Sequence, residues 1–207
     1  MSKVIRVQVV MGSPTKNGNC VDMAAKWLEG VRAEAAAHGY TVEEKPVINL
    51  MSKNIQPCKF CTACMKNPEV PACVVKDDMN SVLAEVLNSD LVLHAAPIWF
   101  WSMPGPMKCY LDRFTQLFNP DFSLKKRVTE MTKGHLTFAT VANCGDPNHE
   151  EVCKGAIYAF QEFGQYHPEA WRYAGAVSAA SGFKHNHERC AKTVELGKAS
   201  VQKFLED

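Results

Sequence analysis

Apolar positions along the chain switch repeatedly between strand-like runs and helix-like stripes, and that alternation predicts the elements. Val4 to Met11 is a β-branched run that breaks at Gly12-Ser13-Pro14 and reads as a buried first strand. Ala24, Trp27, Leu28, Val31 and Ala35 then recur at helical spacing until Gly39 ends the helix. Thr41 to Leu50 returns as a second strand, followed by an irregular cysteine-rich excursion at about 54–76. A loop that long inside a compact domain is usually functional. Asp77-Asp78 supplies an N-cap for the stripe Met79, Val82, Leu83, Val86 and Leu87. Leu91 to Ala96 is the third strand, and Pro106 opens the helix of Met107, Tyr110, Leu111 and Phe114. Leu136 to Val141 is a fourth strand, Glu150 to Phe163 a helix and Trp171 to Ala179 a fifth strand. A last helix runs from about His187 to Leu205, with Val194, Val201 and Phe204 facing inward.

Strands alternating with helices imply right-handed crossovers and a parallel sheet covered on both faces. With no internal repeat, low-complexity tract or linker, residues 1–207 read as one domain.

Charge narrows the partners. The 23 basic and 22 acidic residues leave a net charge of +1, which offers no footprint for nucleic acid or an anionic membrane. The start lacks the apolar run of a signal peptide, and Leu91 to Trp101 is too short to span a bilayer. A soluble, cytoplasmic protein is expected. Nine cysteines, an odd number without a secretion signal, argue against a disulfide scaffold.

Two loops carry candidate chemistry. Gly12 to Cys20 sits between the first strand and its helix. Gly12 and Gly18 permit tight turns, Ser13, Thr15, Asn17 and Asn19 offer short donors, and the helix start adds unpaired N–H groups. That set suits a monophosphate, and it is neither a Walker loop nor a GxGxxG fingerprint. Its alternative is a polar βα loop with an Asn cap. The second loop, Pro97 to Met103, holds Trp99, Phe100 and Trp101 in a row where a doubly wound sheet has its crevice. Three such rings cannot all enter one core. They are placed to line a planar heterocycle or to cover an oligomer interface.

With the stretch Pro97-Ile-Trp-Phe-Trp-Ser-Met-Pro-Gly-Pro-Met-Lys108, Leu111-Asp-Arg113 and Asp77-Asp-Met79, these loops resemble the flavodoxin-fold NAD(P)H-dependent FMN reductase family. The resemblance covers roughly the first 120 residues in motif order. It implies a flavodoxin-like doubly wound α/β fold, a five-stranded parallel sheet in the order 2-1-3-4-5. It also implies flavin mononucleotide (FMN) with its phosphate on Ser13, Thr15, Asn17, Gly18, Asn19 and Cys20. The flavin ring would lie along Pro97, Ile98, Trp99, Phe100, Trp101, Ser102 and Met103, closed by Asn143, Cys144 and Gly145. NAD(P)H is then the co-substrate. The acceptor is a small molecule (flavin, quinone, nitro or azo compound) or a redox protein, and the chain forms a homodimer or homotetramer. No side chain is needed as a chemical catalyst. Asp112 and Arg113 are expected to pair on their helix. His94 reads as a satisfied core histidine, and His185, His187 and Cys190 as helix-start polar residues rather than ligands.

The spacing Cys58-x2-Cys61-x2-Cys64-x8-Cys73 leaves its own alternatives. Related iron–sulfur flavoproteins hold a [4Fe–4S] cluster on such a motif, but usually with a shorter last gap than the eight residues here. Four thiolates also suit zinc. Free or redox-active thiols are the favoured reading, and no metal is assigned. Two other classes compete with an enzyme. A flavodoxin-type electron carrier tends to be strongly acidic, unlike this chain. A regulator without flavin would be colourless and refuse added FMN.

Overall fold

The structure, a computed structural model, describes residues 3–132 and 135–206. One parallel sheet runs β2-β1-β4-β5-β6, built from β1 (Lys3–Met11), β2 (Tyr40–Glu44), β4 (Leu91–Pro97), β5 (Leu136–Asn143) and β6 (Trp171–Ala179). The two-residue β3 (Ile48–Asn49) pairs with β1 beyond the end of β2. The expected second strand is therefore broken, because Pro46 has no N–H for the ladder. Gln8, fully buried on β1, fills the break by donating to the Pro46 carbonyl at 2.8 Å. With β2 and β3 taken as one interrupted strand, the order is the doubly wound 2-1-3-4-5.

The helices divide between the two faces. On one face, α1 (Asn19–Ala37) and α6 (His187–Leu205) cover a core of Ile5, Val7, Val9, Met23, Trp27, Leu93 and Val201. On the other, α2 (Met79–Leu87), α3 (Gly105–Asp112), α4 (Lys126–Thr132) and α5 (His149–Gln165) cover Val10, Leu83, Val92, Tyr110, Phe138, Phe160 and Trp171. Each such fully buried aliphatic or Phe side chain contributes roughly 1.5–3 kcal/mol. The short α4 has no counterpart in the apolar pattern, since only Val128 and Thr132 of its seven residues are buried.

The seam between α1 and α6 departs from expectation. Val201 is fully buried as expected, but Val194 and Phe204 are only partly buried, and Thr193, Leu196, Gly197 and Ser200 join the buried face of α6. Small residues face each other there: a Cβ on Gly30 would lie 1.9 Å from the Val194 carbonyl oxygen, and one on Gly197 2.1 Å from that of Trp27. The backbones therefore touch, and the Trp27 indole N–H reaches the Ser200 hydroxyl at 3.0 Å.

His94 lies on β4, sealed between the rings of Phe138 and Phe160, with Nε2 3.1 Å from the Tyr110 hydroxyl. Burial pushes its pKa down to about 3, so it is a neutral core residue. Asp78 holds the N-cap position of α2 as expected, but its own side chain makes no capping bond. Asp78 accepts the Asn54 N–H, while Asp77 accepts the Met79 N–H and turns to an arginine described below. No described helix is long and apolar enough to cross a membrane.

Candidate functional site

Three loops leave the carboxyl edge of the sheet side by side. β1 runs into Gly12, whose N–H bonds the Ala95 carbonyl of β4 at 2.9 Å. β4 runs into Ile98, whose N–H bonds the Asn143 carbonyl of β5 at 2.7 Å. Parallel pairing aligns the ends of neighbouring strands, which is why distant sequence segments meet here.

In the first loop, Ser13 is buried with Oγ 2.9 Å from Thr15 Oγ1, while Thr15, Lys16 and Asn17 face solvent. Gly18 is the N-cap of α1 and has no side chain to satisfy the first N–H groups of the helix. An uncapped N-terminus with hydroxyls beside it is a place for an anion. Asn19 ties the loop to its neighbours: its Nδ2 donates to Asn143 Oδ1 at 3.2 Å and its Oδ1 accepts the Phe183 N–H at 3.2 Å. Asn143 is likewise engaged, its amide donating to the Ala179 and Ala180 carbonyls. The sequence reading missed Asn49, which donates to the Ser13 carbonyl at 3.2 Å, and the chain after β6; neither stands in a recognisable motif.

In the second loop, Trp99 and Ser102 exchange backbone hydrogen bonds of 2.9 and 3.2 Å around Phe100 and Trp101. Both central residues have positive φ, +48° and +61°. This is the geometry of a two-residue type I′ turn, normally Asn-Gly. Bulky residues there cost about 1–2 kcal/mol each, and such strain concentrates at functional sites. Ile98 and Met103 anchor the turn in the core, leaving Phe100 93 % and Trp101 69 % exposed. A cavity of about 280 Å³ opens beneath, lined by Ile98, Phe100, Trp101, Cys144, Gly145, Asp146 and Val152. Burial pushes the thiols of Cys20 and Cys153 up to about 12, Cys153 also by proximity to Cys144 and Cys20. Both stay protonated at neutral pH and add no negative charge near the anion position.

The cysteine loop is pinned from several sides. Arg113 does not pair with Asp112, which contacts Lys108 instead; it crosses to Asp77 in a buried bidentate pair of 2.7 and 3.0 Å. Partnership across the fold wins because the turn Arg113–Leu117 carries the guanidinium inward while Asp112 stays on the outer face. Burial raises the Asp77 pKa, but Arg113 and the Gln56 and Met79 amides outweigh it, and the net shift is downward. Arg113 also donates to the Gln56 carbonyl at 2.9 Å. Phe60 and Thr62 adopt positive φ, bending the chain between Cys58 and Cys64. The Phe60 N–H points at Cys58 Sγ, 3.4 Å away.

All four loop cysteines are free thiols. Burial first, then the neighbouring thiols of Cys73, Cys58 and Cys61, raise the pKa of Cys64, against the opposing charge of Lys125. Among the described residues no three His, Cys, Asp or Glu groups converge as metal ligands. Four soft thiols in one electrostatic neighbourhood nevertheless match the donor set of an iron–sulfur or zinc centre.

Residues 5–142 match the family described as NADPH-dependent FMN reductase. The chain belongs to that family. An iron–sulfur flavoprotein from Methanosarcina thermophila is 28 % identical over 124 residues, 60 % of this chain and 60 % of the relative. Another from Archaeoglobus fulgidus is 34 % identical over 104 residues, 50 % of this chain and 43 % of that protein. The matches thus span less than two thirds of either relative's length. An NAD(P)H:quinone oxidoreductase from Methanothermobacter marburgensis shares the fold, with a TM-score of 0.62 at 12 % identity over 94 % of this chain and 98 % of that one. This member of the FMN reductase family therefore has the flavodoxin-like architecture of flavin oxidoreductases.

Proposed function

We propose that the chain binds FMN at the three converging loops and passes electrons from NAD(P)H to an acceptor. The observation that carries this reading is the uncapped N-terminus of α1 beside Ser13 and Thr15, on the same sheet edge as the strained aromatic turn and the cavity over Cys144. The hydroxyls of Ser13 and Thr15, the amide of Asn17 and the backbone around Gly18 to Cys20 would hold the phosphate. The backbone and side chains of Pro97 to Met103, with Cys144 and Gly145, would border the ring. Asn19 and Asn143 fix the loops relative to one another.

Bound flavin supplies hydride acceptance and onward electron transfer. The chain contributes positioning, holding a nicotinamide ring parallel to the flavin so that reaction becomes effectively unimolecular. Trp99, Phe100 and Trp101 exclude water above the cavity. The acceptor class is a small flavin, quinone, nitro or azo compound, or a redox protein. A cytoplasmic homodimer or homotetramer, with the exposed aromatic turn at the subunit contact, completes the reading. Anaerobic stopped-flow mixing with NADPH and with NADH tests it. Bleaching of flavin absorbance is expected; a colourless chain that refuses added FMN overturns it, and flavin without direct bleaching leaves an electron carrier.

A second reading is favoured by one observation: four free thiols share a loop held by buried cations. In it Cys58, Cys61, Cys64 and Cys73 would hold a [4Fe–4S] cluster, which would supply single-electron transfer. Iron and acid-labile sulfide assays on anaerobically purified protein decide it.

A further inference from the structure

Lys125 stands at the head of a Lys-Lys-Arg run that leads into α4. Yet the whole residue is buried, 0 % exposed. Its ammonium donates to the Cys64 carbonyl at 2.5 Å and the Val70 carbonyl at 3.2 Å, bridging two points of the cysteine loop. The neighbouring Arg127 N–H bonds the Glu69 carbonyl at 3.1 Å, so the same segment follows the loop between those points.

The contrast with Arg113 is informative. Both cations are buried against the loop, but Arg113 is neutralised by Asp77, whereas Lys125 forms no ion pair among the described residues. Neutral carbonyls take two of its three donors without cancelling its charge. Burying an uncancelled charge is expensive, and folds normally supply an anion. The acidic group that feels the charge of Lys125 is the thiol of Cys64, the residue whose carbonyl it holds, and Cys64 also feels Cys73, Cys58 and Cys61.

We infer that Lys125 is the built-in counter-charge and clamp of the four-cysteine loop, positioned to offset the negative charge of a metal–thiolate centre. The inference rests on the second reading above and concerns a residue that no cysteine motif contains. Four thiolates around zinc, or around an oxidised [4Fe–4S] core, leave a net dianion. One-electron reduction of the cluster adds a further negative charge with no bond made or broken. A buried ammonium beside Cys64 favours assembly of either centre and favours the reduced cluster over the oxidised one.

The test uses the full chain carrying FMN, as the parent and as Lys125→Met, Lys125→Gln and Lys125→Arg. Zinc affinity is measured by competition with a chromophoric chelator. Cluster potential is measured after anaerobic reconstitution with ferrous iron and sulfide, and FMN content reports folding. Lys125→Met should keep FMN but lose about tenfold or more in zinc affinity, the size expected when an opposite charge leaves a thiolate. Its cluster potential should move negative, and Lys125→Arg should restore both. Lys125→Gln, which keeps a donor without the charge, makes the same comparison should the Met variant not fold. Unchanged affinity and potential in the charge-free variants overturn the inference while the metal reading stands. A parent that takes up neither zinc nor iron defeats both and leaves the flavin reading intact.

Discussion

Replacing Phe100 by Asn separates what the aromatic turn costs the fold from what it contributes to binding. Phe100 sits at φ +48° in a turn whose second central residue, Trp101, is at +61°. Leaving this left-handed region, or occupying it with a tolerant residue such as Asn, recovers about 1 kcal/mol. With 93 % of its surface in water, Phe100 buries only roughly 15 Å² of ring, worth about 0.4 kcal/mol. The flavin-free variant should therefore be more stable by about 0.5–1 kcal/mol, raising Tm by roughly 1–4 °C for a chain of this size. Calorimetry of the flavin-stripped protein reads that number, and fluorescence titration with FMN reads the other half. FMN affinity should fall by about threefold to tenfold, since the ring that borders the cavity is gone. A lower Tm in the stripped variant refutes the strain argument, and unchanged FMN affinity refutes the role given to the turn.

Other outcomes follow from the packing and the buried ionisable groups. Gly197→Ala places a methyl about 2.1 Å from the Trp27 carbonyl oxygen, and urea melts should show a loss of about 3 kcal/mol. Asp77→Asn breaks the buried pair with Arg113 and should cost about 3–5 kcal/mol at pH 7. Because the folded Asp77 pKa is lowered, its stabilisation is present above the ordinary carboxylate value and lost as pH falls through the folded one. Melts from pH 5 down to pH 2 should show a shallower acid loss in the variant. His94 has a folded pKa of about 3 against 6.5 in a free chain. The parent is thus destabilised progressively as pH falls from 6.5 towards 3, and His94→Leu should flatten that stretch, though it leaves the Tyr110 hydroxyl without its partner and costs about 1–3 kcal/mol at pH 7.

The strand–helix alternation was legible because a continuous apolar run marks a doubly covered strand such as Leu91–Pro97, and a 3.6-residue stripe marks a helix such as Met79–Leu87. That the Gly12–Cys20 and Pro97–Met103 loops leave the same sheet edge was legible because each follows a strand of a parallel sheet. Partnerships across the fold were not. Nothing local says that Arg113 reaches Asp77, or that Lys125 turns inward while Lys126 beside it is exposed. Nor does the sequence show that Asn19 bonds Asn143 and Phe183, partners more than a hundred residues away along the chain. The broken second strand was visible in principle as Pro46, and the apolar Val47, Ile48 and Leu50 beyond it obscured the break.

The touching backbones of Gly30 and Gly197 also set a schedule for synthesis. Helix α1 is complete by residue 37, but the helix that shields Trp27 ends at residue 205. At ordinary translation speeds of about 5–20 residues per second, roughly ten to thirty seconds separate the two on the ribosome. Throughout that interval the glycine-notched side of α1 that α6 will cover lacks its partner. Such an uncovered side is a natural handle for chaperones and a hazard on crowded polysomes. Slowing translation ahead of residue 187 should raise the soluble yield only where chaperones are plentiful.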